Sequence, residues 1–539
     1  MKTQPTSTAP PIIIVGAGLG GGIMALYLAR SNYQVDVYER RSQVELVYAE
    51  QRSFSVTLSK RGLFALKKVD LLDEVMRLVM PLRGRVVHDR DGSTRFVPYG
   101  NADHEQLYAI RRHDMNALLF RACQQYQLNI RFHFKQRLVR LDKQENTLWF
   151  QNELSPNNEL FSVQSPLIIG SDGAFSVVRQ QMQRGERADF RQEFLEWGYK
   201  GFFIPASSEG RHSMEPYALH LWPRKNFSVF AFPQRDGSYS ANFLCPFAFA
   251  EEYQTSESLT RLLRTSCPDL LEAAPGVTQD LAVMPMSHLV TTYTSRWHYK
   301  DRIILIGDAA HAFTPFWGEG MNSAFEDARI LDEMLASCAL AEQQVPHPSL
   351  PLVATEDVPL PQRPIDRTTV FAQFQALRKP NTDIISDLAK QNFIELRDTT
   401  GTIHTLAHKM LERWLYRFFP TYWQPLNIMI SHSLLSYVEA WARYQRQQAW
   451  LRFSGAELVV WLITCWLISE HALRKFARWL LTLPHQRGQQ ATVGKEQFWV
   501  EERECYRERL SDHDSRTTNQ ETRKSKTIMT LVSGKSENG

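Results

Sequence analysis

A glycine-rich turn near the start of the chain constrains the fold more than any other feature of the sequence. The run Ile12–Val15 is apolar and short, as expected for a buried strand, and GAGLGG follows it directly. In this GxGxxG pattern Gly16 permits a tight turn, Gly18 lets the backbone approach a pyrophosphate, and Gly21 lets a helix pack on the strand. A second strand ends in Glu39, whose carboxylate can accept hydrogen bonds from ribose hydroxyls. The segment predicts a Rossmann-type unit for FAD or NAD rather than NADP.

Two later segments repeat the pattern of an apolar strand that runs into a glycine turn. The first is IGSDGAFS, which contains Asp172, and the second is GDAAH, which contains Asp308. The second continues to GEGMN, in which Gly320 begins a predicted helix. In open α/β sheets ligands bind at the carboxyl ends of the strands, so both aspartates are expected beside the nucleotide. The chain has no second GxGxxG and no CxxC pair, which disfavours two-nucleotide-domain monooxygenases and disulfide reductases.

Taken in order, the three segments resemble the signatures of the class A FAD-dependent aromatic hydroxylases. The resemblance implies bound FAD, with NADPH and O2 as co-substrates. It implies that Asp308 holds the ribityl chain, that the helix from Gly320 points at the flavin, and that Asp172 lies in a stretch serving both FAD and NADPH. Arg112, in RRHDMN, matches an arginine of the family that contacts FAD. The predicted cofactor-binding residues are Gly16, Gly18, Gly21, Glu39, Arg40, Arg112, Asp172, Asp308, Gly320, Met321 and Asn322.

Further segments resemble one branch of that class, the kynurenine 3-monooxygenase family. They are RSFSVTLSKRG (52–62), MPLRGR (80–85), PYG (98–100), MEPYALHLWPR (214–224), PFWGEGMN (315–322) and DLAKQNFIELR (387–397). The resemblance implies hydroxylation of L-kynurenine, a small aromatic amino acid, to 3-hydroxykynurenine. It implies that Arg85 and Tyr99 bind the substrate carboxylate and that Asn392 also contacts the substrate. Glu395 lies one helical step further on the same face as Asn392 and is a further predicted substrate-binding residue. Catalytic side chains stay unassigned, because the cofactor carries out the oxygen transfer.

The sequence departs from that family at three positions. Asn427 follows a Pro-Leu pair where the family has a substrate-binding tyrosine, although Tyr422 is near in sequence. Glu319 replaces a glutamine and brings a carboxyl group close to the flavin, and Leu396 replaces a methionine. Two alternatives therefore stay open. One is a hydroxylase of another aromatic acid, and the other is a flavin NADPH oxidase or redox-binding protein without hydroxylation.

The predicted fold class is α/β, with a Rossmann-type FAD-binding domain, an inserted mixed β-sheet substrate domain and a C-terminal helical region. The insertion is indicated by a hairpin around Asp91-Gly92 and by a strand-rich stretch at 196–250. The predicted boundaries are 10–80, 101–185 and 285–385 for the FAD-binding domain, 81–100 and 186–284 for the substrate domain, 386–484 for the helical region and 485–539 for a disordered tail. A proline-rich loop is predicted at 341–365.

The composition indicates which binding partners and which cellular compartment to expect. The chain has 62 basic and 58 acidic residues and no basic stripe interleaved with aromatics, so nucleic acid is not an expected partner. Isolated cysteines and a very short apolar N-terminal run are typical of a cytoplasmic protein without a signal peptide. No metal site is predicted, since His311 has no second ligand at helical spacing. The apolar and basic stretch 458–483 is too short to span a bilayer but leaves peripheral membrane contact open.

Overall fold

The computed structural model of the chain describes residues 10–47, 55–101, 105–342, 366–395, 397 and 403–453. Its strands are β1 (Ile12–Val15), β2 (Val35–Glu39), β3 (Ser55–Leu58), β4 (Met80–Leu82), β5 (Gly84–His88), β6 (Thr94–Pro98), β7 (Leu107–Arg111), β8 (Ile130–Phe134), β9 (Gln136–Asp142), β10 (Thr147–Asn152), β11 (Leu160–Gln164), β12 (Ile168–Gly170), β13 (Phe190–Ile204), β14 (Ala218–Arg224), β15 (Phe227–Pro233), β16 (Tyr239–Pro246), β17 (Ser287–Thr294), β18 (His298–Tyr299) and β19 (Ile303–Leu305).

The helices alternate with these strands in the first part of the chain and dominate the last part. They are α1 (Leu19–Arg30), α2 (Gln43–Val47), α3 (Lys60–Lys68), α4 (Leu72–Met76), α5 (Arg112–Gln124), α6 (Val177–Gln183), α7 (Phe247–Glu252), α8 (Ser256–Ser266), α9 (Pro268–Ala273), α10 (Val277–Val283), α11 (Asp308–His311), α12 (Gly320–Glu342), α13 (Arg367–Ile394), α14 (Ile403–Phe418), α15 (Leu426–Ser431) and α16 (Tyr437–Phe453). Of the loop predicted at 341–365, the first two residues end α12 and the rest lies outside the described residues, as do the stretch 458–483 and the predicted tail.

The three strands that precede the glycine turns lie side by side in one six-stranded sheet, of order β18-β19-β12-β1-β2-β8. They pair in parallel, with Ile13 opposite Ile168 and Ile168 opposite Ile303. All three strands are buried along their length, which explains why they are continuous apolar runs rather than alternating ones. Because the strands are parallel and adjacent, their carboxyl ends meet at one edge of the sheet, and the three turns follow there.

A seven-stranded mixed sheet, of order β17-β13-β16-β15-β14-β5-β6, forms the second part of the fold. Its neighbours are antiparallel apart from β14 and β5, which pair in parallel. Buried residues of this sheet, such as Phe202, pack in one cluster with Leu263 of α8 and Leu281 of α10. The sheet and the helical C-terminal region confirm the predicted fold class. The sheet also takes in β17, which the division by sequence put with the FAD-binding domain, because that strand pairs with the distant β13.

The C-terminal helical region, as far as the structure describes it, consists of separate helices rather than one continuous periodic stretch. The first of them, α13, begins before the predicted start of the region, and α16 packs against it and α15 through Ile385, Leu388, Met429 and Tyr437. Among the described residues, no helix has the length and apolar character needed to cross a membrane.

Buried ion pairs connect α12 to the helices α3 and α13. Arg378 on α13 donates to Asp327 at 2.7 Å and to Glu326 at 2.5 Å, and Arg61 on α3 donates to Glu326 at 2.9 Å. Burial alone would raise the pKa of Asp327, but His311 and Arg378 lower it to about 2. These pairs join segments that are far apart in the sequence into one core.

Replacing Arg378 with methionine is expected to destabilise the fold, because two buried carboxylates would lose their shared cation. We expect the free energy of unfolding to fall by about 3–5 kcal/mol, measured by urea unfolding at neutral pH. Lys379→Met, at the neighbouring residue, removes only a partly exposed ion pair with Asp383 and should cost less than about 1 kcal/mol. Equal losses of unfolding free energy in the two variants would show that the buried ion pairs contribute no more to stability than the partly exposed one.

Candidate active site

The first glycine turn packs closely against neighbouring backbone at Gly16 and Gly21 and has open space beside Gly18. A Cβ atom at Gly16 would lie 2.7 Å from the carbonyl oxygen of Ser171, and one at Gly21 would collide with the carbonyl oxygen of Gly16. Gly16 also has a φ of +98°, which favours glycine. A Cβ atom at Gly18 would meet nothing within 4 Å. Gly16 and Gly21 are therefore required by packing, whereas Gly18 leaves open space where a pyrophosphate can approach the start of α1.

Glu39 holds the turn to the end of β2. Its carboxylate accepts a hydrogen bond from the Ala17 N–H at 2.8 Å and from the Arg41 guanidinium at 2.9 Å. Burial raises the pKa of Glu39, but Arg41 and the backbone donors outweigh burial and lower it. The arginine beside this carboxylate is thus Arg41, while the predicted cofactor-binding Arg40 is exposed. The ribose contact of Glu39 and the role of Arg40 stay predictions.

The middle segment begins α6 and reaches across to the late segment. Asp172 accepts hydrogen bonds from the Ser176 hydroxyl at 2.5 Å and from the Val177 N–H at 2.7 Å, so its carboxylate caps the helix. Arg179, which is buried, donates to the carbonyl oxygen of Ala309 at 2.7 Å. The structure therefore brings the DG and GD turns together, as their positions in the sequence predict.

The late segment turns sharply after β19. Gly307 has a φ of +56°, and its N–H donates to Asp327 at 2.9 Å. His311 also hydrogen-bonds Asp327, at 2.5 Å, and is buried. Asp308, between them, is exposed at the carboxyl end of the sheet. The turn is thus held from inside and leaves the Asp308 carboxylate accessible to a ligand.

The start of α12 is fixed by Asn322 and left open at Gly320. The Asn322 side chain accepts from the Ser59 N–H at 3.1 Å and donates to the carbonyl oxygens of Thr57 and Gly318 at 2.9 and 3.0 Å. A Cβ atom at Gly320 would meet nothing within 4 Å. The first N–H groups of a helix lack partners within it, so this end can face an electron-rich ring. Asn322 acts here by positioning the helix start.

Open space at Gly18 and Gly320, with the exposed Asp308 at the same edge of the sheet, fits a dinucleotide that carries a second ring system. Arg112 is the first residue of α5 and half-buried, and Met321 is buried directly after Gly320. The individual FAD contacts of these residues stay predictions. Among the described residues, no cluster of histidine, cysteine, aspartate and glutamate could hold a metal ion.

Arg85 faces the cofactor side of the seven-stranded sheet. Residues alternate along a strand, and its neighbour Val87 on that face packs with Phe316, just before α12. The Arg85 guanidinium lies 5.7 Å from the ring centre of Tyr99, and its Nε is buried without a hydrogen-bond partner. Asn392 donates to the carbonyl oxygen of Phe316 at 2.6 Å. Val87, on the same face as Arg85, and Asn392 thus both contact Phe316.

Lys409 joins this group, although no sequence motif indicates it. It forms an ion pair with Glu395. Burial and then the positive charge of Arg85 lower the pKa of Lys409 to about 8, although the carboxylate of Glu412 acts in the opposite direction. Arg85 is therefore close enough to Lys409 to repel it, and the carboxylates of Glu395 and Glu412 lie near the same lysine.

The departures from the family pattern have structural consequences. Asn427 donates to the backbone carbonyl oxygen of Tyr99 at 2.8 Å, so its amide braces the strand end beside Arg85. Tyr422 is 82% exposed and does not take the place of the missing tyrosine. Leu396 lies outside the described residues.

A cavity of about 980 Å³ lies on the other face of β5, lined by Arg83, Val86 and His88 among others. His88 bonds Asp269 at 2.6 Å and His220 at 2.8 Å, which ties α9 to the sheet. This cavity is separated from Arg85 by the sheet itself.

Comparison with known proteins agrees with this geometry. Residues 10–344 match a family model described as an FAD binding domain. The fold and the three turns at one sheet edge define an FAD-dependent aromatic monooxygenase, a class that uses NADPH and O2 as co-substrates.

Similar proteins show to which family within this class the chain belongs. A protein named kynurenine 3-monooxygenase from Salinispora tropica is 40% identical over 471 residues, which cover 86% of this chain and 96% of the relative. One of the same name from Sus scrofa is 31% identical and covers 81% of this chain and 87% of the relative. The chain belongs to the kynurenine 3-monooxygenase family.

Solved structures support the fold alone. The tetrameric form of 2-methyl-3-hydroxypyridine-5-carboxylic acid oxygenase superposes with a TM-score of 0.55 at 18% identity, over 74% of this chain and 95% of that one. PqsL of P. aeruginosa, in complex with 2-aminobenzoylacetate, gives 0.55 at 19% identity, over 72% and 97%.

Replacing Gly18 with alanine should weaken FAD binding without unfolding the protein. Its φ of −67° and ψ of −172° suit alanine, and the new methyl group would point into the open space. We expect the Kd for FAD, measured by fluorescence titration of the apoprotein, to rise about tenfold or more, equivalent to about 1.4 kcal/mol.

Gly276→Ala is the matched control, since Gly276 also precedes a helix and has open space around it. Both variants should cost about 1 kcal/mol of stability or less, and only the first should change FAD affinity. Unchanged FAD affinity in Gly18→Ala would place the pyrophosphate elsewhere.

Proposed function

We propose that the protein hydroxylates the aromatic ring of L-kynurenine at position 3. FAD, when bound and reduced by NADPH, supplies the oxygen-transfer chemistry. One atom of O2 enters the ring and the other leaves as water, while NADPH and a proton are consumed and NADP+ is released. The side chains of the protein bind the amino-acid end, orient the ring and exclude water.

The charges around Arg85 carry this proposal. The amino-acid end of kynurenine bears one carboxylate and one ammonium group. Arg85 and Lys409 are cations that suit the carboxylate, and Glu395 suits the ammonium. The buried, unpartnered Nε of Arg85 is a donor that a carboxylate would satisfy. The Lys409–Glu395 ion pair has the same two charges as the substrate and can exchange partners with it.

The apolar residues beside Arg85 favour an aromatic ring next to the cofactor. Val87, Leu221, Phe230 and Phe316 form a cluster on the Arg85 face of the sheet. Phe316 belongs to the segment that leads into α12. A substrate held by its amino-acid end at Arg85 would therefore direct its ring towards the N-terminal end of α12.

Asn427 favours a second candidate, a hydroxylase of a different aromatic amino acid. Its amide is engaged by the Tyr99 carbonyl oxygen and replaces a phenol that the family aims at the substrate. The amino-acid recognition by Arg85 and Glu395 would be common to both candidates. They differ only in the aromatic part of the substrate.

The test follows NADPH oxidation by the holoenzyme with and without L-kynurenine. We expect kynurenine to accelerate oxidation, and Arg85→Met to raise the KM for kynurenine about tenfold or more, because a charged hydrogen bond contributes about 1.5–3 kcal/mol. Arg83→Met is the control, since Arg83 lines the cavity on the opposite face and lies over Tyr217. Its KM should stay close to that of the wild type.

The other possible results of this assay would each favour a different function. Acceleration only by another aromatic amino acid would favour the second candidate. NADPH oxidation that is indifferent to any aromatic acid and yields only hydrogen peroxide would indicate an NADPH oxidase. A KM unchanged in Arg85→Met would remove Arg85 from the substrate site.

We also propose peripheral membrane contact near the C-terminal end, at 458–483. The described part of the chain supports it at the end of α14, where Trp414 and Phe418 are exposed beside Arg417, and where exposed Phe419 and Tyr422 follow. Aromatic and basic residues together are typical of membrane interfaces. Co-sedimentation with anionic vesicles, and its loss in neutral ones, is the expected result. Absence of binding to both would exclude the contact.

A further inference from the structure

Glu319 is a buried carboxylate directly before α12, at the end of the helix that faces the proposed flavin. It is 1% exposed, and its Oε2 accepts hydrogen bonds from the Ser59 hydroxyl at 3.1 Å and the Tyr437 hydroxyl at 2.9 Å. Its own carbonyl oxygen accepts the first helical hydrogen bond, from the Ser323 N–H at 2.8 Å. The side chain thus belongs to the N-terminal end of α12 while its partners come from the start of α3 and from α16.

Three carboxylates share two guanidinium groups in this buried region. Arg378 serves Glu326 and Asp327, and Arg61 also donates to Glu326. The remaining Arg61 terminal nitrogen donates to backbone carbonyl oxygens, and its Nε lies 3.6 Å from Glu319 without a hydrogen-bond partner. Glu319 is therefore the carboxylate with the weakest compensation, because no guanidinium nitrogen donates a hydrogen bond to it.

His311 does not compensate the Glu319 carboxylate directly. Its Nε2 bonds Asp327 rather than Glu319, and its Nδ1 is buried without a hydrogen-bond partner. Burial raises the pKa of Glu319 to about 7, although Arg61, Tyr437 and Ser59 act in the opposite direction. Glu326 adds to the rise.

The protonation of Glu319 changes the charge at the flavin-facing end of the helix. Reduction of bound FAD by NADPH adds negative charge, which the positive N-terminal end of a helix stabilises. A carboxylate at that end offsets part of the positive potential, whereas a neutral carboxyl group does not. We propose that Glu319 is a titratable positioning residue whose neutral form favours, and whose ionised form opposes, reduction of the flavin.

This inference rests on the proposed function only in placing FAD at the start of α12, and its test needs no kynurenine. The first arm measures unfolding of the apoprotein between pH 5 and 8.5 for the wild type and Glu319→Gln. A folded-state pKa near 7 lies above the ordinary value of 4.5, so the wild type loses stability as the pH rises between these values and levels off above 7. The glutamine variant has no carboxyl group to titrate here, so the difference in stability between the two proteins should change over the same range.

The second arm measures the reduction potential of bound FAD in substrate-free holoenzyme over the same pH range. We expect the wild type and Glu319→Gln to agree near pH 5.5 and to diverge above pH 8, where the wild type is harder to reduce. The expected change in the equilibrium is about fivefold, which for a two-electron couple is about 20 mV. Parallel potentials across the whole range would overturn the proposal, even if the first arm shows titration.

Tyr437→Phe provides a second variant that keeps the carboxylate. It removes the hydrogen bond that favours the ionised form and leaves an aromatic ring under Arg61. The pH at which both readouts change should therefore move upward. If the pH of this change is the same in Tyr437→Phe as in the wild type, or if the change persists in Glu319→Gln, another group titrates and the proposal is wrong. Loss of kynurenine hydroxylation alone would not bear on either arm.

Discussion

A single buried carboxylate, Asp327 on α12, fixes the geometry on which the site depends. It accepts hydrogen bonds from the Gly307 N–H, from His311 and from Arg378, and it is fully buried. Removing a carboxylate from water is costly unless donors surround it, and here the donors come from two separate segments, the turn after β19 and the helix α13. The turn after β19, the helix α12 and the helix α13 are thereby held together. Asp308 is exposed at the sheet edge because the residues on either side of it are tied inward.

In this arrangement the cofactor and the protein have separate roles. The parallel sheet gathers three turns at one edge and leaves open space at Gly18 and Gly320 for the two ends of a long cofactor. The mixed sheet contributes Arg85 from its inner face, and the C-terminal helices contribute Glu395 and Lys409. In the proposed function, these groups hold the amino-acid end of a small zwitterionic substrate and direct its ring towards the cofactor. Oxygen transfer belongs to the cofactor, and binding, orientation and charge at the helix end belong to the chain.

The sequence predicted those parts that depend on local pattern. The three apolar strands and their turns follow from continuous apolar runs and from glycines with a fixed spacing, and the fold class was confirmed. Features that depend on pairing between distant segments were not predictable in this way. The addition of β17 to the mixed sheet, the choice of Arg41 as the partner of Glu39, and the approach of Lys409 to Arg85 are of this kind. Glu319 is unusual already in the sequence, but its hydrogen bonds to Ser59 and Tyr437 come from positions far away in the chain.

The most direct measurement is the fate of isotopically labelled O2 in a single reaction mixture. Purified holoenzyme would be incubated with NADPH, L-kynurenine and ¹⁸O2, and the products would be analysed by mass spectrometry. A flavin hydroxylase acting on kynurenine should give a product that carries one ¹⁸O atom on the ring, in an amount equal to the NADPH oxidised. Unlabelled kynurenine, with the label recovered only in hydrogen peroxide, would contradict the proposed hydroxylation.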